Sequence, residues 1–410
     1  MSPGAGATSS PHIDRNPPHE LRDRFGPELI LTATHPAWGV QAIIVVHNTA
    51  RGPAMGGLRM APDITVREVV DLARAMTFKN AGARLDLGGG KSALAAEPAR
   101  FRRGSVERRE LITWFAGLLA HVPQYTPGPD MFTDEQDMQL LFETAGRSIG
   151  RPADRGGIPI DELGLTSLGC VVDLATALEE GYVSGASSMR GLRLAVEGFG
   201  NVGAGIARFA ALDGAVLVAC SDLPDPSRDY GGVVHHPAGL DIAALMAARA
   251  AGRSVIEAAP AGARVLRGAA SLKALFEVDA DVVVPAARTD TMDLSLAGRV
   301  RARCVLEAAN KPLSLEAEEH LHARGVLCSV DYLTNCGGIT ACAEELDEAR
   351  HPLASLRLPH AIARIVTTVR ANASEVYRLS RSASITPRAA AERLVVPRIA
   401  PPPSTGSTPA

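Results

Sequence analysis

The chain has 410 residues, of which 46% are hydrophobic and 21% charged, and this composition excludes a largely disordered or fibrous protein. With 42 basic and 45 acidic residues the formal net charge is −3, so we expect neither a nucleic-acid partner nor a membrane partner. No apolar run approaches the ~18 residues of a membrane-spanning helix. The 6 cysteines form no CxxC pair and are too sparse for a disulfide framework. We therefore predict reduced thiols in a cytoplasmic protein.

The length predicts two domains, the first over 19–150. Residues 1–18 and 399–410 are rich in Pro, Ser and Gly, which predicts disorder at both ends. A strand is expected over 39–48. A helix should begin at Thr65, with Glu68 completing a capping box, and run to about Asn80. A second helix is expected over 106–120.

The second domain is expected over 165–340, after an interdomain loop at 151–164. It should begin with a helix over 167–180. Short apolar runs then alternate with helical stretches, and this pattern predicts a parallel sheet covered on both faces. The candidate strands are 192–197, 215–220, 281–284, 303–306 and 326–329. Helices are expected over 353–383 and 387–395, within a C-terminal helical segment 341–398.

A glycine-rich turn joins the first of these strands to a helix. Glycines in a G-x-G-x-x-G turn let a pyrophosphate approach the backbone at the helix N-terminus. Asp222, at the end of the next predicted strand, suits the ribose hydroxyls and would repel a 2′-phosphate. The sequence thus predicts NAD as cofactor, with NADP as the alternative. The turn consists of Gly198, Phe199, Gly200, Asn201, Val202 and Gly203.

Lysine is rare in this chain, and two of its four lysines, Lys79 and Lys91, flank a glycine run at 88–90. Glycines there would let the backbone and a ligand approach closely. Two amines beside one cavity can supply a neutral amine for proton transfer and a cation for a carboxylate, although a solvated pair is the alternative. Asp130 follows Pro127-Gly128-Pro129 and is either a turn former or an acid/base. The adjacent His235 and His236 have no further ligands at suitable spacing, so we expect a surface loop and no metal site.

Together the motifs resemble the glutamate/leucine/phenylalanine/valine dehydrogenase superfamily, closest to its apolar amino-acid branch. The matching segments lie in family order at 52–60, 75–80, 85–91, 128–130, 197–203, 307–310 and 331–338. The resemblance implies an N-terminal α/β domain that binds the amino acid and, with the C-terminal helices returning to it, builds a homo-oligomer. It also implies a Rossmann-like nucleotide domain. The implied reaction, in the cleft between domains, is the reversible oxidative deamination of an L-amino acid to a 2-oxo acid and ammonia.

The resemblance also implies roles for individual residues. Lys79 would bind the substrate carboxylate, Lys91 would be the catalytic lysine, and Asp130 would move protons. Thr166, Asn310 and Asn335 would contact the nucleotide, with Asn310 also near the substrate. The other implied substrate-site residues are Gly56, Gly57, Met55, Gly128, Ile339 and Cys342.

Two positions favour an apolar substrate. Met55 and Cys342 replace the lysine and serine that hold the side-chain carboxylate in glutamate-specific relatives, and an unpaired buried carboxylate is costly. Gly128, where leucine enzymes carry Ala, would enlarge the pocket for aromatic side chains, and Ile339 would favour branched aliphatic ones. Phe132 departs from the family pattern, and its ring would crowd the cleft. The alternatives are a glutamate dehydrogenase and a catalytically weak nucleotide-binding homologue.

Overall fold

A computed structural model describes residues 10–225, 230–346 and 354–399. Its contacts divide the chain into two compact units. Unit 1 contains the chain up to Pro159, then Ile339–Ala361 and the residues from Val395 onward. Unit 2 contains Ile160–Gly338 and Ile362–Leu394. Each unit has its own sheet with helices, which confirms the predicted α/β class.

Unit 1 is built on a six-stranded mixed sheet with the order β1-β2-β3-β5-β4-β6. The first three strands and β5 pair antiparallel, whereas β4 runs parallel to both β5 and β6. In this parallel trio β4 lies between β6 and β5, the glycine strand. The strands are β1 (His12–Asp14), β2 (Leu29–Thr34), β3 (Gln41–Asn48), β4 (Ala54–Met60), β5 (Gly88–Ala95) and β6 (Tyr125–Pro129).

Three helices cover the two faces of this sheet: α1 (Val66–Gly82), α2 (Val106–Leu119) and α3 (Glu135–Ala145). Strand alternation sends Ile43 and Val45 towards α1, and Ile44 and Val46 into the core formed with α2 and α3. The predicted start of α1 is confirmed, since the Thr65 side chain accepts from the Glu68 amide.

Unit 2 contains a seven-stranded sheet with the order β10-β9-β8-β7-β11-β12-β13. The five predicted strands are present and parallel, so that part of the prediction is confirmed. Two antiparallel strands, β9 and β10, were not predicted. The strands are β7 (Arg193–Glu197), β8 (Val216–Asp225), β9 (Tyr230–His235), β10 (Arg264–Arg267), β11 (Val282–Pro285), β12 (Cys304–Val305) and β13 (Leu327–Cys328).

The helices of unit 2 alternate with its strands, as a doubly wound sheet requires. They are α4 (Ile160–Leu163), α5 (Leu165–Glu179), α6 (Asn201–Leu212), α7 (Ile242–Ala250), α8 (Leu294–Ala297), α9 (Leu315–Ala323) and α10 (Asp331–Thr334).

The C-terminal helices divide between the units: α11 (Gly337–Glu344), α12 (Ala354–Ala383) and α13 (Pro387–Ile399). The sequence assigned the whole of 341–398 to the first domain. In the structure 339–361 and the residues from 395 onward group with unit 1, whereas 362–394 group with unit 2. The physical reason is a set of buried polar contacts, in which Tyr377 donates to Asp173 and Arg388 binds acids of unit 2.

Some described residues of the two segments predicted to be disordered are ordered. His12–Asp14 forms the edge strand β1 on β2, within the 1–18 segment expected to be disordered. Ile399 is buried as the last residue of α13. The remaining predicted tail positions, 1–9 and 400–410, lie outside the described residues, as does 353. All six cysteines are buried and unbridged. No described helix is long and apolar enough to cross a membrane.

Candidate active site

In unit 1 the structure brings the predicted acid and the predicted catalytic lysine together. Lys91 lies on β5 and Asp130 directly follows β6, and Lys91 Nζ is 2.6 Å from Asp130 Oδ2. The lysine side chain is 8% exposed and the carboxylate 21% exposed. The pair is therefore nearly buried, and the carboxylate keeps partial access to solvent.

A second cation shares the same carboxylate. Arg59 Nε donates to Asp130 Oδ2 at 3.1 Å, and its Nη1 lies 3.3 Å from Glu68. Burial alone would raise the pKa of Asp130, but the charges of Lys91 and Arg59 outweigh it and hold that pKa well below its usual range. Asp130 is thus ionised near neutral pH. Arg59 was not singled out from the sequence, although it lies in the matching segment 52–60.

A tight turn fixes the direction of the carboxylate. The Asp130 amide donates to Thr133 Oγ1 at 2.9 Å, and that hydroxyl donates to Leu58 O at 2.7 Å. Phe132, between them, adopts a left-handed φ of +60°, which a bulky side chain rarely takes. Arg108 Nη2 donates to the Phe132 carbonyl at 2.8 Å and stabilises this conformation. The Phe132 ring is 54% exposed in unit 1.

The glycine run before Lys91 serves packing within the protein. A Cβ on Gly89 would lie 2.2 Å from Thr77 N of α1, and one on Gly90 would lie 2.7 Å from Tyr125 Cδ2. Gly88 is equally close to Asn48 O. The run therefore lets α1 and the neighbouring strands approach β5, whereas the sequence indicated space for a ligand.

Two further predicted glycines have different surroundings. Gly57 borders the reactive pair, because a Cβ there would lie 2.7 Å from Asp130 Cβ and 3.1 Å from Lys91 Nζ. A Cβ on Gly128 would lie 3.0 Å from Ile149 Cγ1. Ile149 therefore packs against the face of Gly128 where a methyl group would lie, and the larger pocket stays a prediction.

Apart from Asn310, which belongs to unit 2, the remaining predicted substrate residues belong to unit 1. Lys79 is half-buried near the end of α1. The next residue, Asn80, holds this last turn against β5, because its Nδ2 donates to Gly88 O at 2.6 Å. Met55 on β4 is fully buried. Ile339 and Cys342 lie on α11 and group with the same unit. Gly56 is packed against the Gly90 carbonyl.

The glycine turn of unit 2 has the shape a dinucleotide needs. Gly198 follows β7 with φ +80°, and a Cβ on Gly203 would lie 2.1 Å from the Gly198 carbonyl. A Cβ on Gly200 would meet nothing within 4 Å, so space is open beside the N-terminus of α6. These observations fit a bound pyrophosphate. Phe199 is buried and offers only its backbone, and Val202 is half-buried.

Two predicted cofactor side chains already have partners. Asp222 Oδ1 accepts from the Gly232 amide at 3.1 Å and Oδ2 from the Val255 amide at 2.8 Å. Asn201 Nδ2 donates to Asp161 at 2.7 Å. The sequence placed Asp222 at a strand end, but β8 continues to Asp225 and pairs there with β9. The Asp222 carboxylate is consequently held in one direction.

The predicted asparagines of unit 2 lie side by side. Asn335 Nδ2 is 3.2 Å from Asn310 Oδ1 and also donates to the Ala308 and Ala309 carbonyls. Asn335 Oδ1 is buried and has no hydrogen-bond partner among the described residues. Thr166 at the start of α5 adjoins Gly338, whose Cβ would lie 2.7 Å from Thr166 Oγ1. The unpartnered oxygen suits the amide of a nicotinamide.

His235 ends β9 and His236 follows it. Among the described residues, no group of three or more His, Cys, Asp or Glu side chains could hold a metal ion.

Comparison with known proteins matches both units. Residues 156–401 match the Glutamate/Leucine/Phenylalanine/Valine dehydrogenase family, and residues 30–147 match the Glu/Leu/Phe/Val dehydrogenase dimerisation domain. The glutamate dehydrogenase of Thermotoga maritima is 34% identical over 312 residues, which cover 72% of this chain and 70% of the relative. The NAD-specific glutamate dehydrogenase of Staphylococcus aureus is 32% identical over 309 residues, 72% of this chain and 69% of the relative.

A solved structure is similar over most of the fold. The hetero-hexameric glutamate dehydrogenase of Thermus thermophilus, in its leucine-bound form, has a TM-score of 0.75 and 28% identity, and the match covers 91% of this chain and 88% of that one. The sequence matches and the fold match agree. The chain belongs to the glutamate/leucine/phenylalanine/valine dehydrogenase family, whose members are nicotinamide-dependent amino-acid dehydrogenases.

Proposed function

We propose that the chain catalyses the NAD-dependent, reversible oxidative deamination of an apolar L-amino acid. The observation that carries the proposal is the buried contact of 2.6 Å between Lys91 Nζ and Asp130 Oδ2, beside Gly57. An amine and an ionised carboxylate in contact form a pair that can move protons, which oxidation of an amine and hydration of the resulting imine both require.

The residues divide this work among them. Lys79 binds the substrate carboxylate. Asp130, kept ionised by Lys91 and Arg59, takes the proton from the substrate ammonium group. Lys91 polarises the carbonyl or imine and activates the attacking water. When bound in unit 2, the nicotinamide accepts the hydride from the substrate Cα.

Two buried side chains support an apolar substrate. Met55 is fully buried and Cys342 is 3% exposed. Because both side chains are uncharged, neither offers a cation to a substrate side-chain carboxylate. Burying that carboxylate without a partner would cost several kcal/mol. The sequences of the Thermotoga and Staphylococcus glutamate dehydrogenases favour glutamate as the second candidate.

A panel of L-amino acids decides between these candidates. We expect kcat/KM for L-Leu or L-Phe to exceed that for L-Glu, with NADH formation as the readout. A ratio in favour of L-Glu would establish the second candidate. NADH binding without turnover on any member of the panel would indicate a catalytically weak homologue.

The coenzyme is proposed to be NAD. Backbone amides at Gly232 and Val255 fix the Asp222 carboxylate, and a fixed negative charge disfavours a 2′-phosphate. The Staphylococcus relative, named as NAD-specific, is consistent with this choice. Fluorescence titration should give a lower Kd for NADH than for NADPH, and equal affinities would reject the assignment.

A homo-oligomer is proposed from the match of residues 30–147 to a dimerisation domain and from the hexameric assembly of the Thermus relative. Light scattering on the purified chain should give a mass that is a multiple of 42.9 kDa. A monomer mass at working concentration would contradict it.

A further inference from the structure

One arginine in unit 2 gathers three buried acids that the reaction itself does not use. Arg388 on α13 donates from Nε to Glu318 at 2.6 Å, from Nη1 to Asp331 at 3.1 Å and from Nη2 to Glu307 at 3.0 Å. The Arg388 side chain is 13% exposed, and those of the three acids are exposed by less than that. We call these four residues the Arg388 cluster.

Two of the acids begin the segments that carry the predicted nicotinamide-side amides. Glu307 lies three residues before Asn310, in the loop after β12. Asp331 begins α10, after β13, four residues before Asn335. Asp331 Oδ2 also accepts from the Lys311 amide at 2.8 Å, so it ties the two segments to each other directly. One guanidinium thereby holds both segments against α13.

Stability alone does not account for this arrangement. Three carboxylates share one cation, and replacing a buried ion cluster by apolar side chains is often neutral or stabilising. Burial raises the pKa of Glu307 well above its usual value and that of Glu318 to about 7, although Arg388 lowers both. Glu307 Oε1 has no hydrogen-bond partner among the described residues. The cluster fixes the positions of the three acids, because the planar guanidinium group of Arg388 donates to several acceptors at once.

We propose that Arg388 is a positioning residue for coenzyme binding: its three-way contact holds the segments after β12 and β13 so that Asn310 and Asn335 face the nicotinamide side of the coenzyme. The inference rests on the proposed function, since it takes these two asparagines as the nicotinamide-side groups. Asn335 Oδ1, buried and unpartnered, is the atom whose direction matters most. A lysine at 388 would keep the charge but could not reach the three acids in one plane.

The test compares Arg388→Lys with Arg393→Lys, an exposed arginine on the same helix. Both are made in the full chain, and binding of NADH is followed by fluorescence titration. Loss of the planar three-way contact should raise the Kd for NADH about tenfold in Arg388→Lys. Arg393→Lys should bind as the wild type does. In turnover, KM for the coenzyme should rise more than KM for the amino acid.

Wild-type affinity for NADH in a folded Arg388→Lys would overturn the proposal. So would an equal rise of both KM values, which indicates a general loss of structure. If Arg388→Lys does not fold, Asp331→Asn provides the same test, because it weakens the contacts to Arg388 and Lys311 while keeping the side-chain shape. Asp331→Asn should then bind NADH more weakly, and unchanged binding would again reject the role. The titration needs no turnover, so its result stays distinct from failure of the proposed function.

Discussion

Two buried ionic clusters in this chain have opposite charge balance. In unit 1 two cations, Lys91 and Arg59, surround the single carboxylate of Asp130. In unit 2 the single cation of Arg388 is surrounded by three carboxylates. The two cations lower the pKa of Asp130, whereas burial, together with the neighbouring acids, raises the pKa of Glu318 to about 7.

The comparison shows that burial raises the pKa of an acid in either cluster, and that the number of neighbouring cations decides whether this rise is overcome. Asp130 is ionised and can accept a proton from a substrate. In the Arg388 cluster, in contrast, one cation connects the loops that carry the acids. The first suits chemistry and the second suits positioning.

The largest expected effect comes from Lys91→Arg. The substitution keeps the positive charge beside Asp130, but guanidinium does not release a proton in the working range. Since general acid–base groups contribute ~10²–10⁴-fold to rate, kcat should fall by about a thousandfold. Binding of NADH should not change. Lys273→Arg is the matched control, because Lys273 is 57% exposed and lies 3.7 Å from Asp293. Substantial turnover by Lys91→Arg would refute a proton-transfer role.

The next largest expected effect is on the free energy of unfolding, and it should differ between the two clusters. Arg388→Met leaves three buried carboxylates without a cation, which should cost about 3–5 kcal/mol in the free energy of unfolding. Arg59→Met leaves Lys91 beside Asp130 and should cost less. Urea denaturation of both variants measures the difference. Equal losses would mean that the charge ratio does not matter.

A smaller effect concerns pH. Because the pKa of Glu318 rises on folding to about 7, the native state binds an extra proton between its ordinary pKa and that value. The free energy of unfolding must therefore decrease as pH rises through this window. Glu318→Gln should reduce that decrease, as seen in Tm measured from about pH 5 to about pH 8. An unchanged pH profile would place the titration elsewhere.

The smallest expected effect concerns the backbone conformation of a single residue. Phe132 has a φ of +60°, a conformation that asparagine adopts more readily. Phe132→Asn should therefore raise the free energy of unfolding by about 1 kcal/mol. Met131→Asn, at an equally exposed neighbour, should leave it nearly unchanged. A destabilised Phe132→Asn would show that the ring makes contacts that outweigh the backbone strain.

The sequence predicted the parallel core of unit 2 because each strand is a short apolar run bounded by helices. It gave no strand for β1, β2, β4, β5 and β6 of unit 1 or for β9 and β10 of unit 2. Glycines in β4, β5 and β9 interrupt the apolar pattern that marks a strand. The Lys91–Asp130 pair was predicted through motifs, but no sequence signal specified a contact between residues 39 positions apart.

Which atoms pack against a given residue could be identified only from the three-dimensional structure. Gly89 fits Thr77 of α1, and Gly128 fits Ile149, whereas the sequence indicated ligand space at both. A glycine shows that something approaches closely, but not what approaches. Likewise, nothing in the sequence distinguishes Arg388 from the other arginines, because the three acids that it contacts are distant from it in the chain.

Central to the proposed function is the coupling of coenzyme reduction to deamination by this chain. The most direct test follows NADH, the 2-oxo acid and ammonia together in one reaction of the wild-type protein with L-Leu or L-Phe. The proposed function predicts that the three products form in equal amounts. NADH binding with no product from any amino acid would contradict it.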